Sequence, residues 1–194
     1  MTAANIVGGI LAAILMDNFV AVRMLGTEAL VKGNRNLTTA MTVGLVVGVD
    51  VVLAAVLFWP LDSWILSPLS LDYLRTFTSV LSTAVLARGT VIVVARFLPK
   101  VAKRLEGYTS LAVMNSAVLG AAIFSAESAE TLGGAVLWGL GAGLGFLLAN
   151  LLITSIQIRL EFSSCPKAFR GFPIAMTALG LLALAFGGFV GLSV

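Results

Sequence analysis

The chain is 194 residues long, 59% hydrophobic and only 11% charged, with a mean hydropathy of +1.07, a formal net charge of +3 and no histidine. An ordinary soluble domain carries about 25% charged residues, so a water-soluble globule is excluded, and the missing histidine removes the commonest general base and metal ligand. The single cysteine, Cys165, allows neither an intrachain disulfide nor an all-cysteine metal site, and reads as an apolar filler.

In chain order, the apolar runs predict six membrane spans at about 20 residues each. Residues 3–24 form the first, with Asp17 and Asn18 inside it and no Lys or Arg before Arg23, so it is expected to be retained and not cleaved as a signal peptide. Residues 37–59 form the second, interrupted by Asp50, and residues 73–97 the third, interrupted by Arg88. The remaining three, at 107–126, 131–158 and 171–194, carry no charge at all. Runs this long and continuous call for helices, since barrel strands alternate over about 10 residues. The expected fold is therefore an all-α integral membrane protein filling residues 1–194 as a single membrane domain.

Charge sets the expected orientation. Arg23, Lys32 and Arg35 follow span 1; Arg96, Lys100, Lys103 and Arg104 follow span 3; Arg159, Lys167 and Arg170 follow span 5. The opposite connectors hold Arg75 and otherwise Asp62, Asp72, Glu127 and Glu130. The positive-inside rule places both termini outside, periplasmic in a diderm bacterium, and turns the basic excess into a topology signal, with no nucleic-acid partner expected.

Six spans divide three and three, and an odd number per half sets the halves in opposite orientation, as in a 3+3 inverted repeat with halves at about 1–98 and 99–194. Spans 1 and 4 each carry an asparagine, Asn18 and Asn115, several residues before a Leu-Gly pair, Leu25-Gly26 and Leu119-Gly120. Two readings stand: broken helices meeting at a functional site near the midplane, or asparagines that simply hydrogen-bond neighbouring helices. In span 5, Gly139 with Gly143 and Gly141 with Gly145 make two small-xxx-small pairs, expected to pack helices closely. Trp59 and Trp64 around Pro60 suit the membrane interface, and Trp138 the packed core. A charge inside the bilayer costs on the order of 2.5–3.5 kcal/mol, so Asp50 and Arg88, on neighbouring spans, are expected to form an intramembrane ion pair. The functional alternative is a proton or cation relay through Asp17 and Asp50, with Asp17 the candidate for an ion path.

Asn18-Phe19-Val20, Leu25-Gly26, Trp64-Ile65-Leu66 with Pro68-Leu69, Tyr73-Leu74-Arg75-Thr76, Asn115 with Ala117-Val118-Leu119-Gly120, Phe169-Arg170-Gly171, and Leu184-Ala185-Phe186 with Gly188-Phe189 stand in an order and spacing that resembles one family. It is the RnfA/NqrE family, small integral components of the Rnf electron-transport complex and of the sodium-pumping NADH:quinone reductase. The resemblance implies six transmembrane helices in an inverted repeat, with helices 1 and 4 interrupted. It also implies a bacterial or archaeal inner-membrane location and an oppositely oriented homologue as partner, among other Rnf- or Nqr-like subunits. In this family each partner supplies two cysteines, from the broken regions of spans 1 and 4, and the four thiolates hold one [2Fe-2S] cluster. Here the corresponding positions are Glu28 and Ser116, beside Asn18 and Asn115. Iron–sulfur clusters need soft thiolates, with histidine the usual exception, so no cofactor, no metal and no catalytic residue is expected on this chain. Asp50 stands where the family usually has an apolar residue, and Arg88 where it has an uncharged polar one. The expected function is that of a scaffolding subunit in an Rnf- or Nqr-like ion-translocating electron-transport complex. Two alternatives are a small cation transporter using oxygens of Asp17, Asn18, Glu28, Asn115 and Ser116, and a translocase subunit that works with cofactors on neighbouring chains.

Overall fold

A computed structural model describes residues 3–27, 36–105, 115–162, 164 and 166–189. Among these there are seven α-helices and no strand: α1 (Ala3–Leu15), α2 (Leu37–Leu61), α3 (Arg75–Phe97), α4 (Pro99–Arg104), α5 (Ser116–Ser128), α6 (Leu132–Glu161) and α7 (Phe172–Gly187). With their adjoining turns, α2, α3 and α6 are long and apolar enough to cross a bilayer, and α1, α5 and α7 are shorter apolar helices. The protein is thus a multi-pass helical membrane protein, as its composition requires. Span 1 ends as regular helix at Leu15, and α5, the described helix of span 4, starts at Ser116 behind the extended residue Asn115.

Local chemistry sets the helix ends. Asn36 caps α2 by accepting the Thr38 N–H, and Thr131 caps α6 by accepting that of Gly134. Pro60 removes an amide donor near the end of α2, and within one turn the helix widens into a π-turn over Asp62–Leu66. The short helix α4 lies where sequence suggested only a basic connector.

The core is built where α2 packs against α6 and α5, and α1 against α6. Glycine makes this possible. A β-carbon at Gly143 would fall 2.7 Å from the Gly48 carbonyl oxygen, and one at Gly48 would fall 3.2 Å from the Gly143 oxygen, so the two backbones touch. Gly44 lies under Leu147 and Asn150 while Gly139 lies under Val52 and Ala55. Residues 44, 48, 52 and 55 thus correspond to 139, 143, 147 and 150, a constant shift of 95 positions, and the contacts are reciprocal. Reciprocal contacts between matching positions are what a two-fold axis between the halves produces. The second pair of glycines on α6 faces the other way: Gly141 meets Ala13 and Gly145 meets Ile14 of α1.

Helix directions follow from the same contacts. Ala13 lies beside Gly141 and Asn18 beside Gly145, so α1 runs parallel to α6, while α2 runs against both. Ser125 of α5 reaches the Ala55 carbonyl and Trp59 Nε1 donates to the Ala129 carbonyl at 2.8 Å, so α5 runs with α2. Spans 1 and 4 are therefore antiparallel. Trp59 also stacks edge-on with Trp64, their centroids 6.3 Å apart.

Candidate functional site

The two helix breaks meet against α6. Asn18, buried, accepts the N–H groups of Val20 and Ala21 through Oδ1 and so caps the turn that follows it. Its amide nitrogen donates to the Ile14 carbonyl at 2.9 Å and to the Gly145 carbonyl of α6 at 2.8 Å. Asn115 repeats the first of these roles, capping α5 by accepting the Ala117 N–H at 2.9 Å. The two readings of the asparagines from sequence thus combine: each marks a break, and Asn18 also ties the break to a neighbouring helix.

The turn after Asn18 is sharp. Met24 and Gly26 both have positive φ, 56° and 80°. At Gly26 a side chain is ruled out by space as well, because a β-carbon would meet the Phe146 ring and lie 3.0 Å from Asn115 Oδ1. The Gly26 N–H donates to Ser116 Oγ at 2.8 Å, the bond that joins the first break to the start of α5. Leu25 lies over Gly120, which leaves room for it. Phe19 sits beneath, edge-on to Trp138 at 5.4 Å and to Phe124 at 6.2 Å. Trp138 is thus partly buried, packed against the core.

Of the residues singled out in the sequence, the structure brings Asn115 and Ser116 to the Leu25–Gly26 turn, whose other end Asn18 fixes. Glu28 and Cys165 lie outside the described residues. Asp17 forms a bidentate ion pair with Arg23, at 2.8 and 3.0 Å, and the Arg23 guanidinium lies 4.0 Å over the Phe124 ring. No sequence signal singled out Arg23 as its partner: six residues apart is not a helical spacing, and only the break folds them together.

The expected pair of Asp50 with Arg88 is not formed. Asp50 is buried on α2 and its Oδ1 accepts the Thr90 hydroxyl at 2.6 Å, while Arg88 is exposed on the outer side of α3. The helical period explains the correction, since residues two apart on α3 point about 200° apart and only one of them faces α2. A half-buried ion pair joins Asp62 to Arg75, bidentate at 2.6 and 2.8 Å, with Asp72 at 3.8 Å from the same guanidinium. This pair clips the end of α2 to the start of α3.

Comparison with known sequences decides what this arrangement belongs to. The family model described as Rnf-Nqr subunit, membrane protein, matches residues 6–193. The chain belongs to the Rnf-Nqr family. Its Rnf-Nqr relatives include proteins named as the A-type subunit of the ion-translocating oxidoreductase complex. That of Shigella boydii serotype 4 is 38% identical over 179 residues, covering 92% of this chain and 93% of the relative. Those of Escherichia fergusonii and Citrobacter koseri are each 37% identical over the same coverage.

Proposed function

We propose that this Rnf-Nqr protein is an integral subunit of an ion-translocating electron-transport complex and that it scaffolds redox partners without holding a [2Fe-2S] cluster of its own. Full-length similarity to the A-type proteins of such complexes supports the first part. The second rests on the chemistry of the helix-break junction. The place of a family thiolate is taken by the Ser116 hydroxyl, which accepts the Gly26 N–H, and the only cysteine is Cys165, before the last span. Hydroxyl and carboxyl donors do not fit an iron–sulfur cluster, and no electron-transfer step is assigned to this junction. Its role is to hold two helix breaks together at a subunit interface.

Orientation and partner complete the proposal. Arg23, Arg96, Lys100 and Arg159 fall at the ends of α1, α3 and α6 that share one face, and Asp62, Asp72, Glu127 and Glu130 at the other. The positive-inside rule then sets both termini on the periplasmic side of a bacterial inner membrane. The partner is an oppositely oriented homologous subunit. The cation-transporter alternative is disfavoured because the Asn18, Asn115 and Ser116 oxygens already accept backbone N–H groups and Asp17 is paired.

Electron paramagnetic resonance and iron analysis of the complex, purified from its host with and without this chain's Ser116→Ala variant, test the reading. The expected result is an unchanged iron content and no [2Fe-2S] signal that depends on Ser116. A signal lost on that substitution, with the complex still assembled, overturns it.

A further inference from the structure

Between α2 and α3 runs a groove of about 1140 Å³ whose walls are almost wholly apolar. On the α2 side it extends from Thr42 to Leu61, roughly 28 Å at 1.5 Å per residue, close to the 30 Å hydrocarbon thickness of a bilayer. Leu45, Val49, Leu53 and Leu57 form one exposed stripe along it, and on α3 Val85 is 67% exposed. Halfway along, Asp50 lines the groove with Oδ1 bonded to Thr90 and Oδ2 buried without any hydrogen-bond partner.

We propose that this groove seats a transmembrane helix of a different subunit of the complex, one that carries a basic or amide donor at mid-depth to meet Asp50 Oδ2. The inference rests on the chain being a complex subunit. Two observations select this occupant. The groove spans the full hydrocarbon thickness, twice the depth of one lipid leaflet. A buried carboxylate oxygen lacking a donor is costly, on the order of 1–3 kcal/mol or more for a charged group, and a lipid chain has no donor at that depth. Helix association in lipid relies on such close packing and polar contacts.

Photocrosslinking in the intact complex tests this. A benzophenone side chain placed at Leu53 or Val85 is expected to form an adduct with one and the same non-identical membrane subunit, and one at Leu184 on α7, outside the groove, is not. Asp50→Leu and, independently, Val85→Trp, a bulky change at an exposed position that leaves the chain's own packing intact, are each expected to lower co-purification of that partner at least tenfold. Asp50→Asn, which still accepts a hydrogen bond, should retain most of it. Adducts with phospholipid alone or with a second copy of this chain, or full co-purification with both the Asp50→Leu and the Val85→Trp variants, overturn the proposal. A chain that purifies from its host with no other subunit removes the complex reading and this one together, whereas an intact complex with lipid-only adducts removes this one alone.

Discussion

Helices α3 and α6 are both long apolar membrane helices, yet the chain treats them differently. Half of the most apolar stretch of α6 is buried within the protein, and 56% of that of α2, but only 11% of that of α3. The reason is composition at the contact: α6 presents glycines to α2 and α1 on two faces, and α3 presents Val, Leu and Phe side chains to the outside. In lipid, where apolar side chains gain little by leaving the hydrocarbon, backbone approach decides which helices form the core. Apolarity locates a span; small residues locate its neighbours.

The sharpest way to break this contrast is to fill the seam. Gly143→Leu places a side chain against the Gly48 backbone, and strain of more than about 3 kcal/mol is expected, read as loss of folded protein in membranes. Gly180→Leu on α7, with nothing within 4 Å, should accumulate normally. A comparable drop in both would mean that the seam has no special standing.

The two asparagine caps offer a finer comparison. Asn18→Ala removes a cap and two amide bonds, and about 2–3 kcal/mol of stability is expected to go with them. Asn115→Ala removes a cap whose amide nitrogen has no hydrogen-bond partner, so about 1 kcal/mol is expected. Thermal unfolding in detergent reads the difference, and equal losses would show that the Gly145 contact contributes nothing.

Asp62→Ala leaves Arg75, itself 29% exposed at its side chain, without its buried partner. A loss of about 1–2 kcal/mol is expected, with easier proteolysis between α2 and α3 as the readout. Asp17→Asn is expected to change least, about 0.5 kcal/mol, because both side chains of that pair are about a third exposed. The effect should shrink further in high salt.

The sequence made the architecture legible because hydrophobic length, the Gly139–Gly143 and Gly141–Gly145 spacings and the paired asparagines all act locally. Each glycine pair found a helix, though nothing local says that one pair meets α2 and the other α1. The 95-position shift between Gly44-Gly48 and Gly139-Gly143 was also present in the chain, and only contact geometry gives it meaning. Side-chain partners were harder. Asp50 was expected to pair with the nearest opposite charge, but facing across two helices depends on rotation about each axis, which charge counting ignores; Thr90, one hydroxyl among several, had no distinguishing mark. Arg23 and Asp17 come together only through a break whose path sequence does not specify.

The glycine seam has a further consequence for how this chain tolerates change over generations. At Gly139, Gly141, Gly143 and Gly145, alternate positions along α6, a neighbouring helix lies at a spacing that a single methyl group would breach or crowd, so nearly every missense change at these four is deleterious regardless of its chemistry, while Leu140 and Leu144 between them are exposed. The outer faces of α3 and α7 carry no such restriction. Random mutagenesis under selection for assembly should leave an alternating invariant pattern in the middle of α6, matched by Gly44 and Gly48 on α2, while the exposed apolar positions of α3 and α7 exchange freely among Leu, Ile, Val and Phe.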